Sequence, residues 1–512
     1  MTSWRTASVA IMAFSSGLPL GIVWIAIPDW MRSAGIDIRL VGLMTLAQAP
    51  WSFKVLWSPL LDRYAPPWLG RRRGWIAISQ VVLFALTLGL AGVGHHPDAP
   101  WVVAALAFAI ALASATQDIA YDAYTVDVLK PEEQGIAVGA KTAFYMTAFR
   151  VVAGLSIAVA GHWSWPAANI GMALLYIPTL IITLKAPEPP DVPIAPRTIR
   201  EAVWEPFLGF LSRHRALEIL AFVFFYKLAD NLAVSLIRPF LFDKGYSDVD
   251  RGLVLTIVGW VGIVVGTILG GAMTSMMGLG NSLWLFGFLQ IFSNIGYVFV
   301  ARSEMNQGLM IAAAGFDNLT MGLGSGAFSV FLLRLTQKRF SATQYALFSS
   351  LFGLPRIIAG PITGFAVDAV GWELFFWSTL AAGIPGMVLL HRFCPIGVRE
   401  PVFTIEPSTG KPPIPRYGLI ASGFAGGSVG LAFGVLVDAT LAALKQMRSN
   451  PATGFDLVPA VIRLFSPTDV SSWLELTGVV VFALMMGLGT AAVLAARHGA
   501  VNQTGESMTS AG

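Results

Sequence analysis

The chain alternates long uncharged runs with short polar segments. No charged side chain interrupts Trp75–Gly94, Gly252–Ala301, Tyr417–Val437 or Leu476–Ala496. A bilayer span takes about 20 mainly apolar residues, and the second of these runs is long enough for two. Hydrocarbon offers no water to backbone polar groups, so each must be paired within its own segment and such runs are helices. The pattern predicts spans at 7–30, 40–61, 75–94, 101–125, 136–160, 165–184, 216–241, 252–276, 281–300, 307–332, 343–367, 373–393, 416–440 and 473–496. That is fourteen helices, an all-α polytopic membrane protein.

Composition agrees. Of 512 residues 55% are hydrophobic and only 12% charged, with mean hydropathy +0.69, whereas soluble domains carry about 25% charged residues. The first run, Ala7–Trp30, is long enough to span and has no small-residue cleavage site after it, so no signal peptide is expected. One cysteine, Cys394, excludes a disulfide framework and a cysteine-based metal or redox centre. The formal charge of +4 sits in short loops, which points away from nucleic acid. With the N-terminus in the cytoplasm, nineteen of the 33 Lys and Arg residues fall in inside loops and ends, Arg5, Arg63, Arg71–Arg73, Lys130 and Lys185 among them, and eight fall outside. The positive-inside rule therefore predicts that both termini are cytoplasmic.

Two Pro-rich stretches divide the chain. APEPPDVPIAPRTIRE (186–201) reads as a linker between halves, and EPSTGKPPIPR (406–416) precedes the last two spans. Arg150-Val-Val-Ala-Gly154 in span 5 is echoed by Arg356-Ile-Ile-Ala-Gly360 in span 11. Echo and linker together predict a six-helix half over 1–185, a cytoplasmic linker over 186–215, a second half over 216–394, a connector over 395–415, two additional helices over 416–497 and a tail over 498–512. Two such halves related by duplication are the architecture of major facilitator transporters.

Lys54, Lys141, Arg150, Lys227, Arg238 and Arg356 fall inside predicted spans, as do Asp118, Asp122, Asp230 and Asp317. A charge at mid-bilayer costs about 2.5–3.5 kcal/mol on insertion scales, so each must pair or face a watery cavity. Asp118 and Asp122, four apart, share one helix face beside Gln117. Two carboxylates on one desolvated face do not comfortably both ionise, which marks them as proton carriers; permanent pairing with Lys54 or Arg150 is the structural alternative. Asp127, at the loop end, reads as an interfacial charge. Lys54 is a candidate cavity cation. Arg150 and Arg356, pseudo-symmetric, suit opposite walls of one cavity, where their forks would hold carboxylate or phosphate; interhelical salt bridges are the competing reading. Gly17 and Pro19 are expected to break span 1. Trp24 and Trp51, and with less weight Trp57, are candidate sugar platforms among sixteen tryptophans that more often form interfacial belts.

SGLPLG…IPDWM, FKVLWSPLLDRYAPPWLGRRRGW (53–75), SATQDIAYDAY (114–124) and FSATQYALFSS (340–350) together resemble the AmpG anhydromuropeptide permeases, inner-membrane members of the major facilitator superfamily. The resemblance covers most of residues 1–394, and the extra C-terminal pair also looks AmpG-like; the acetyl-CoA transporters are a looser match. It implies proton-driven import of N-acetylglucosaminyl-1,6-anhydro-N-acetylmuramyl peptides for cell-wall recycling, with a link in some bacteria to β-lactamase induction. It also implies that Gly42 and Asp118 stand at the family's glycine and aspartate positions. Asp62, Arg63 and Arg71–Arg73 would form a conformational latch, topogenic charge being the plainer alternative. The loop TSMMGLGNS between spans 8 and 9 has no counterpart of that motif, so the latch is one-sided. Transported carboxylates and sugar hydroxyls would call for Lys54, Arg150, Arg356 and Gln117; the phosphates of acetyl-CoA would call for cations too.

An enzyme is disfavoured. No zincin motif or G-x-S-x-G elbow occurs, and the histidines lack ligand spacing. A signalling receptor would need a soluble output domain, for which the polar segments are too short. The expected partners are a small-molecule substrate, protons and the bilayer, with no cofactor or metal, and a monomeric state is expected.

Overall fold

The computed structural model describes residues 3–36, 47, 49–94, 100–188, 196, 198–211, 215–247, 257–403, 414–449, 455–468 and 470–497. Two compact units emerge, Met1–Ala202 with Leu217–Val402, and Val203–Ala216 with Phe403–Gly512.

In the larger unit, α1 (Trp4–Met31) contains a π-helical stretch at Ile22–Ala26. The short helices α2 (Ala49–Phe53) and α3 (Ser58–Arg63) flank a 3-10 turn at Lys54–Leu56. Next come α4 (Arg71–Gly92), α5 (Pro100–Val128), α6 (Pro131–His162), with a second π stretch at Thr147–Val152, and α7 (Trp165–Lys185). After the linker helix α8 (Ile199–Leu211), whose residues from Val203 on belong to the smaller unit, come α9 (Ala216–Asp243), α10 (Gly259–Met277), α11 (Leu279–Arg302), α12 (Gln307–Leu335) and α13 (Ser341–Phe393). The last is two helices meeting at Gly371, whose φ of +75° suits only a residue without a Cβ.

Among the described residues eleven helices are long and apolar enough to cross a membrane, or twelve if Gln307–Leu335 and Lys338–Gly353, bent by 100°, form one span. The fourteen expected from the hydropathy pattern are thus met in part. The predicted span 40–61 does not emerge as one helix: its first residues lie outside the described ones, and around Lys54 the helix tightens into a 3-10 turn between Pro50 and Pro59. Each proline removes a helical donor. Span 1 also departs from expectation. Its helix runs unbroken through Gly17 and Pro19, and irregularity comes a turn later, at Ile22–Ala26. Gly17 serves close packing: a Cβ there would stand 2.2 Å from the backbone oxygen of Tyr145 on α6. Gly42 lies outside the described residues.

Helices α6 and α10 meet through backbone. A Cβ on Gly271 of α10 would lie 2.1 Å from the carbonyl oxygen of Gly135 on α6, and one on Gly135 would strike Gly271 in return. Small residues allow this approach, which membrane helices use because lipid supplies no hydrophobic drive between them.

The smaller unit is an antiparallel pair, α14 (Arg416–Ser449) and α16 (Val470–Arg497), with the short α15 (Val458–Phe465) between them in sequence. Glycines again set the spacing, Gly423 against Gly487 and Gly430 against Met486. Arg463 and Glu475 pair at 2.9 Å.

Candidate functional site

Three arginines open α4, where the positive end of the helix dipole disfavours cations. Their placement is therefore explained by their partners. The turn before them is tight: Leu69 has φ +66° and Gly70 φ +70°. Arg72 lies between two carboxylates, Asp62 Oδ1 at 2.8 Å and Asp127 Oδ2 at 2.9 Å, and is 4% exposed. It also donates to Ser341 Oγ at 2.7 Å, across to the second half. Asp62, fully buried, accepts from the backbone N–H groups of Ala342 (3.2 Å) and Thr343 (2.8 Å) and from the Thr343 hydroxyl (2.6 Å). Asp62 of α3 thus caps the N-terminus of α13, as free N–H groups and dipole both favour. Arg334 of α12 reaches Gln134 of α6 at 3.3 Å, a further tie between the halves.

The neighbouring arginines do other work. Arg71 donates to the Asp62 backbone carbonyl at 3.0 Å. Arg73 donates to the carbonyls of Thr183 and Leu184, closing the C-terminal end of α7, and pairs with Glu188 at 3.0 Å. Arg63 lies over the Tyr64 ring at 5.3 Å. Asp127, read from sequence as an interfacial charge, is instead a buried member of this cluster.

The second cluster lies farther along α5. Asp122 accepts from Lys141 Nζ at 2.6 Å and faces Lys54 Nζ at 3.8 Å. Lys141 also stands over the ring of Tyr121 at 4.6 Å and over that of Tyr345, from the second half, at 5.8 Å. Asp118, one turn back, has the Ser16 hydroxyl as hydrogen-bond partner and feels Lys54, Asp122 and Lys141. Arg150 Nη1 stands 3.7 Å from where a Gly259 Cβ would be, beside Asn318. Lys141, noted from sequence only as an intramembrane charge, is Asp122's short partner. The signal was placement about the turn that joins α5 to α6, with Asp122 seven residues before Leu129 and Lys141 eleven after Lys130.

Trp24 and Trp51 meet edge to face with centroids 6.4 Å apart, and Phe149 meets Trp24 at 6.2 Å. Both π stretches contribute, Trp24 from the first and Phe149 from the second, next to Arg150. The indole nitrogen of Trp51 is buried with no protein hydrogen-bond partner. Trp57 is satisfied by Thr116 at 3.2 Å. Gln117, fully buried, donates to Ser15 Oγ at 2.8 Å and ties α5 to α1. The Arg356 side chain lies outside the described part, which leaves the opposite cationic wall without description.

The Major Facilitator Superfamily model matches residues 9–360. The anhydromuropeptide permease of Escherichia coli K12 is 35% identical over 483 residues, 94% of this chain and 95% of that protein. An uncharacterized protein of Haemophilus influenzae is 33% identical over 402 residues, 76% of this chain and 94% of that one. Among solved structures, the human organic anion transporter MFSD10 superposes with TM-score 0.59 at 12% identity, covering 76% of this chain and 99% of that one. Family model, close relatives and helical fold agree: the chain belongs to the major facilitator superfamily and, within it, to the anhydromuropeptide permeases, transporters and not enzymes.

Proposed function

We propose that this protein is a proton-coupled importer of anhydromuropeptides in the cell inner membrane, supporting cell-wall recycling and, through it, supplying the signal for β-lactamase induction. The observation that carries this reading is the nearly end-to-end likeness to the E. coli permease, which runs past the twelve-helix core toward the C-terminal pair. On this reading the chain is a monomer with fourteen spans and both termini cytoplasmic, divided as its linkers suggest: halves at 1–185 and 216–394, linker 186–215, connector 395–415, additional helices 416–497 and tail 498–512.

The proposed mechanism follows from the two clusters. Asp118 carries the coupling proton and Asp122 tunes it, because Lys141 holds Asp122 while Lys54 is positioned to answer either carboxylate. A protonated Asp118 loses its desolvation cost, and the cavity can close over it. When ionised it draws on Lys54 or water. A bound substrate carboxylate would compete for that lysine, and this competition couples the two ligands. Arg150 and Arg356 are proposed as the further cations for substrate, and Trp24 and Trp51 as the sugar-stacking wall, the unpartnered Trp51 indole N–H being free to donate to a hydroxyl. Asp62 with Arg72, Arg71, Arg73 and Arg63 forms the latch on the Arg-rich side, closed in this structure, so the proposed state faces outward.

Uptake of labelled anhydromuropeptide and of acetyl-CoA into proteoliposomes, with and without an imposed pH gradient, tests the reading. Gradient-driven accumulation of the muropeptide alone supports it. Accumulation of acetyl-CoA alone would replace it with an anionic-solute transporter of the same superfamily.

A further inference from the structure

The second half holds its own buried polar cluster, which neither the latch nor the Asp118 site uses. Lys227 of α9 donates to Asp230 Oδ2 at 3.2 Å and to Gln290 Oε1 of α11 at 2.7 Å. Asp317 of α12 has one carboxyl oxygen 3.0 Å from Ser293 Oγ and the other 3.0 Å from the Tyr297 hydroxyl. Lys227, Asp230 and Asp317 are exposed by only 2%, 6% and 1%. The titratable groups facing Asp317 are Asp230, Lys227 and Tyr297; beyond Tyr297 lies the ring of Phe376 from α13, centroids 5.4 Å apart. Tyr226, near Asp230, gives its hydroxyl hydrogen to the Leu283 carbonyl. Among the described residues two carboxylates therefore face one cation in a buried place, and one negative charge is left over. Burying an unpaired charge costs far more than burying a hydrogen-bonded neutral group.

Counting hydrogens locates the compensation. Ser293 owns one hydroxyl hydrogen, yet its Oγ lies 2.8 Å from the Gln290 backbone carbonyl oxygen and 3.0 Å from Asp317 Oδ1. It cannot donate to both. A proton on Asp317 Oδ1 completes the chain: the carboxyl donates to Ser293, Ser293 donates to the carbonyl, and Tyr297 donates to the other carboxyl oxygen. We infer that Asp317 is a second proton-binding site, in the half opposite Asp118, and that it is loaded in this structure.

The groups around it describe a way to unload. Both side-chain polar atoms of Asn294, Nε2 of Gln290 and Oδ1 of Asp230 are buried without hydrogen-bond partners. Unsatisfied amides at this depth are costly in one state. They are useful in another, since an ionised Asp317 needs new donors and Asn294 follows Ser293 directly. The Gln290 amide is held against α12 at Gly324, where any Cβ would stand 1.3 Å from its nitrogen. The binding site stands on geometry; its use in coupling rests on the proton-driven reading above.

Infrared difference spectra of the full-length protein in lipid at neutral pH test it without substrate. The wild-type-minus-Asp317→Asn spectrum should show the carbonyl stretch of a protonated carboxyl, and that band should persist in Asp118→Asn. Ser293→Ala, which removes the acceptor but not the carboxyl, should move the band to higher frequency; this arm decides if Asp317→Asn does not fold. An Asp317-dependent carboxylate signal in place of the carboxyl band, or a band indifferent to Ser293→Ala, overturns the inference. Absence of muropeptide uptake would count against the proposed substrate and leave these spectra standing.

Discussion

The Asp62–Arg72–Asp127 cluster and the Asp118–Asp122 cluster use the same residue types in the same half, yet they are built for opposite ends. In the first, one guanidinium spans two carboxylates, and Asp62 is further satisfied by two backbone N–H groups and a hydroxyl of the second half. The Asp62–Arg72–Asp127 pairs join α3, α4 and α5, and the contacts of Asp62 and Arg72 to Ser341–Thr343 carry the cluster across to α13. In the second, two lysines serve two carboxylates with unequal reach, 2.6 and 3.8 Å to Asp122. Many short, fixed partners make a lock, and divided service leaves a group able to change partner or take a proton.

That contrast is most severely strained by removing Arg72. Arg72→Ala takes the shared cation from two buried carboxylates, and breaking a buried pair from one side costs about 3–5 kcal/mol. Thermal unfolding in detergent should fall markedly and transport should slow, while substrate affinity measured by binding changes little. A large loss of affinity with unchanged stability would move Arg72 into the binding site. Arg72→Lys should not rescue, because an ammonium lacks the fork that spans both partners.

A weaker blow to the same lock comes from the glycine seam. Gly271→Leu drives a side chain into the Gly135 carbonyl and should hold the halves apart on the Arg-rich side. A cysteine at Ala342, fully buried here, should then react with a membrane-impermeant maleimide applied from that side. Continued protection of position 342 would mean that the halves are joined elsewhere.

The Asp118–Asp122 site should respond to Lys141→Met in binding more than in stability. Losing a charge-assisted hydrogen bond worth about 1.5–3 kcal/mol turns Lys54 toward Asp122 and away from substrate. Affinity for anhydromuropeptide should weaken about tenfold or more, with the unfolding temperature little changed. The reverse pattern would make Lys141 a structural tie.

The smallest effect concerns the one cysteine. Burial first, and the Glu400 carboxylate second, push the Cys394 thiol up to about 11. The thiolate is the reactive form, so wild-type labelling should be slow at neutral pH and rise only as pH approaches that value. Rapid labelling at pH 7 would show the thiol exposed.

Much of this was legible in the sequence, in uneven ways. Long uncharged runs gave most of the helices because the bilayer leaves the backbone no alternative. The run around Lys54 was the exception, since apolar length says nothing about two prolines and a cation tightening the turn. Asp62 and the arginines stood out by charge, but their partners at Ser341–Thr343 lie about 280 positions away. The FSAT start of a helix was the one local sign that free N–H groups waited there. Asp127 reads from the sequence as a loop-end charge and Lys141 as an intramembrane charge without a named partner, because position along one helix does not say which side chains other helices bring beside it.

The central claim, that Asp118 carries the coupling proton, is tested most directly by Asp118→Asn in proteoliposomes. The neutral amide mimics the loaded carboxyl, so exchange of labelled for unlabelled anhydromuropeptide across the membrane should persist, while accumulation driven by an imposed pH gradient should be lost. Accumulation against a concentration gradient by Asp118→Asn would contradict the account and leave Asp118 a structural partner of Ser16 and Lys54.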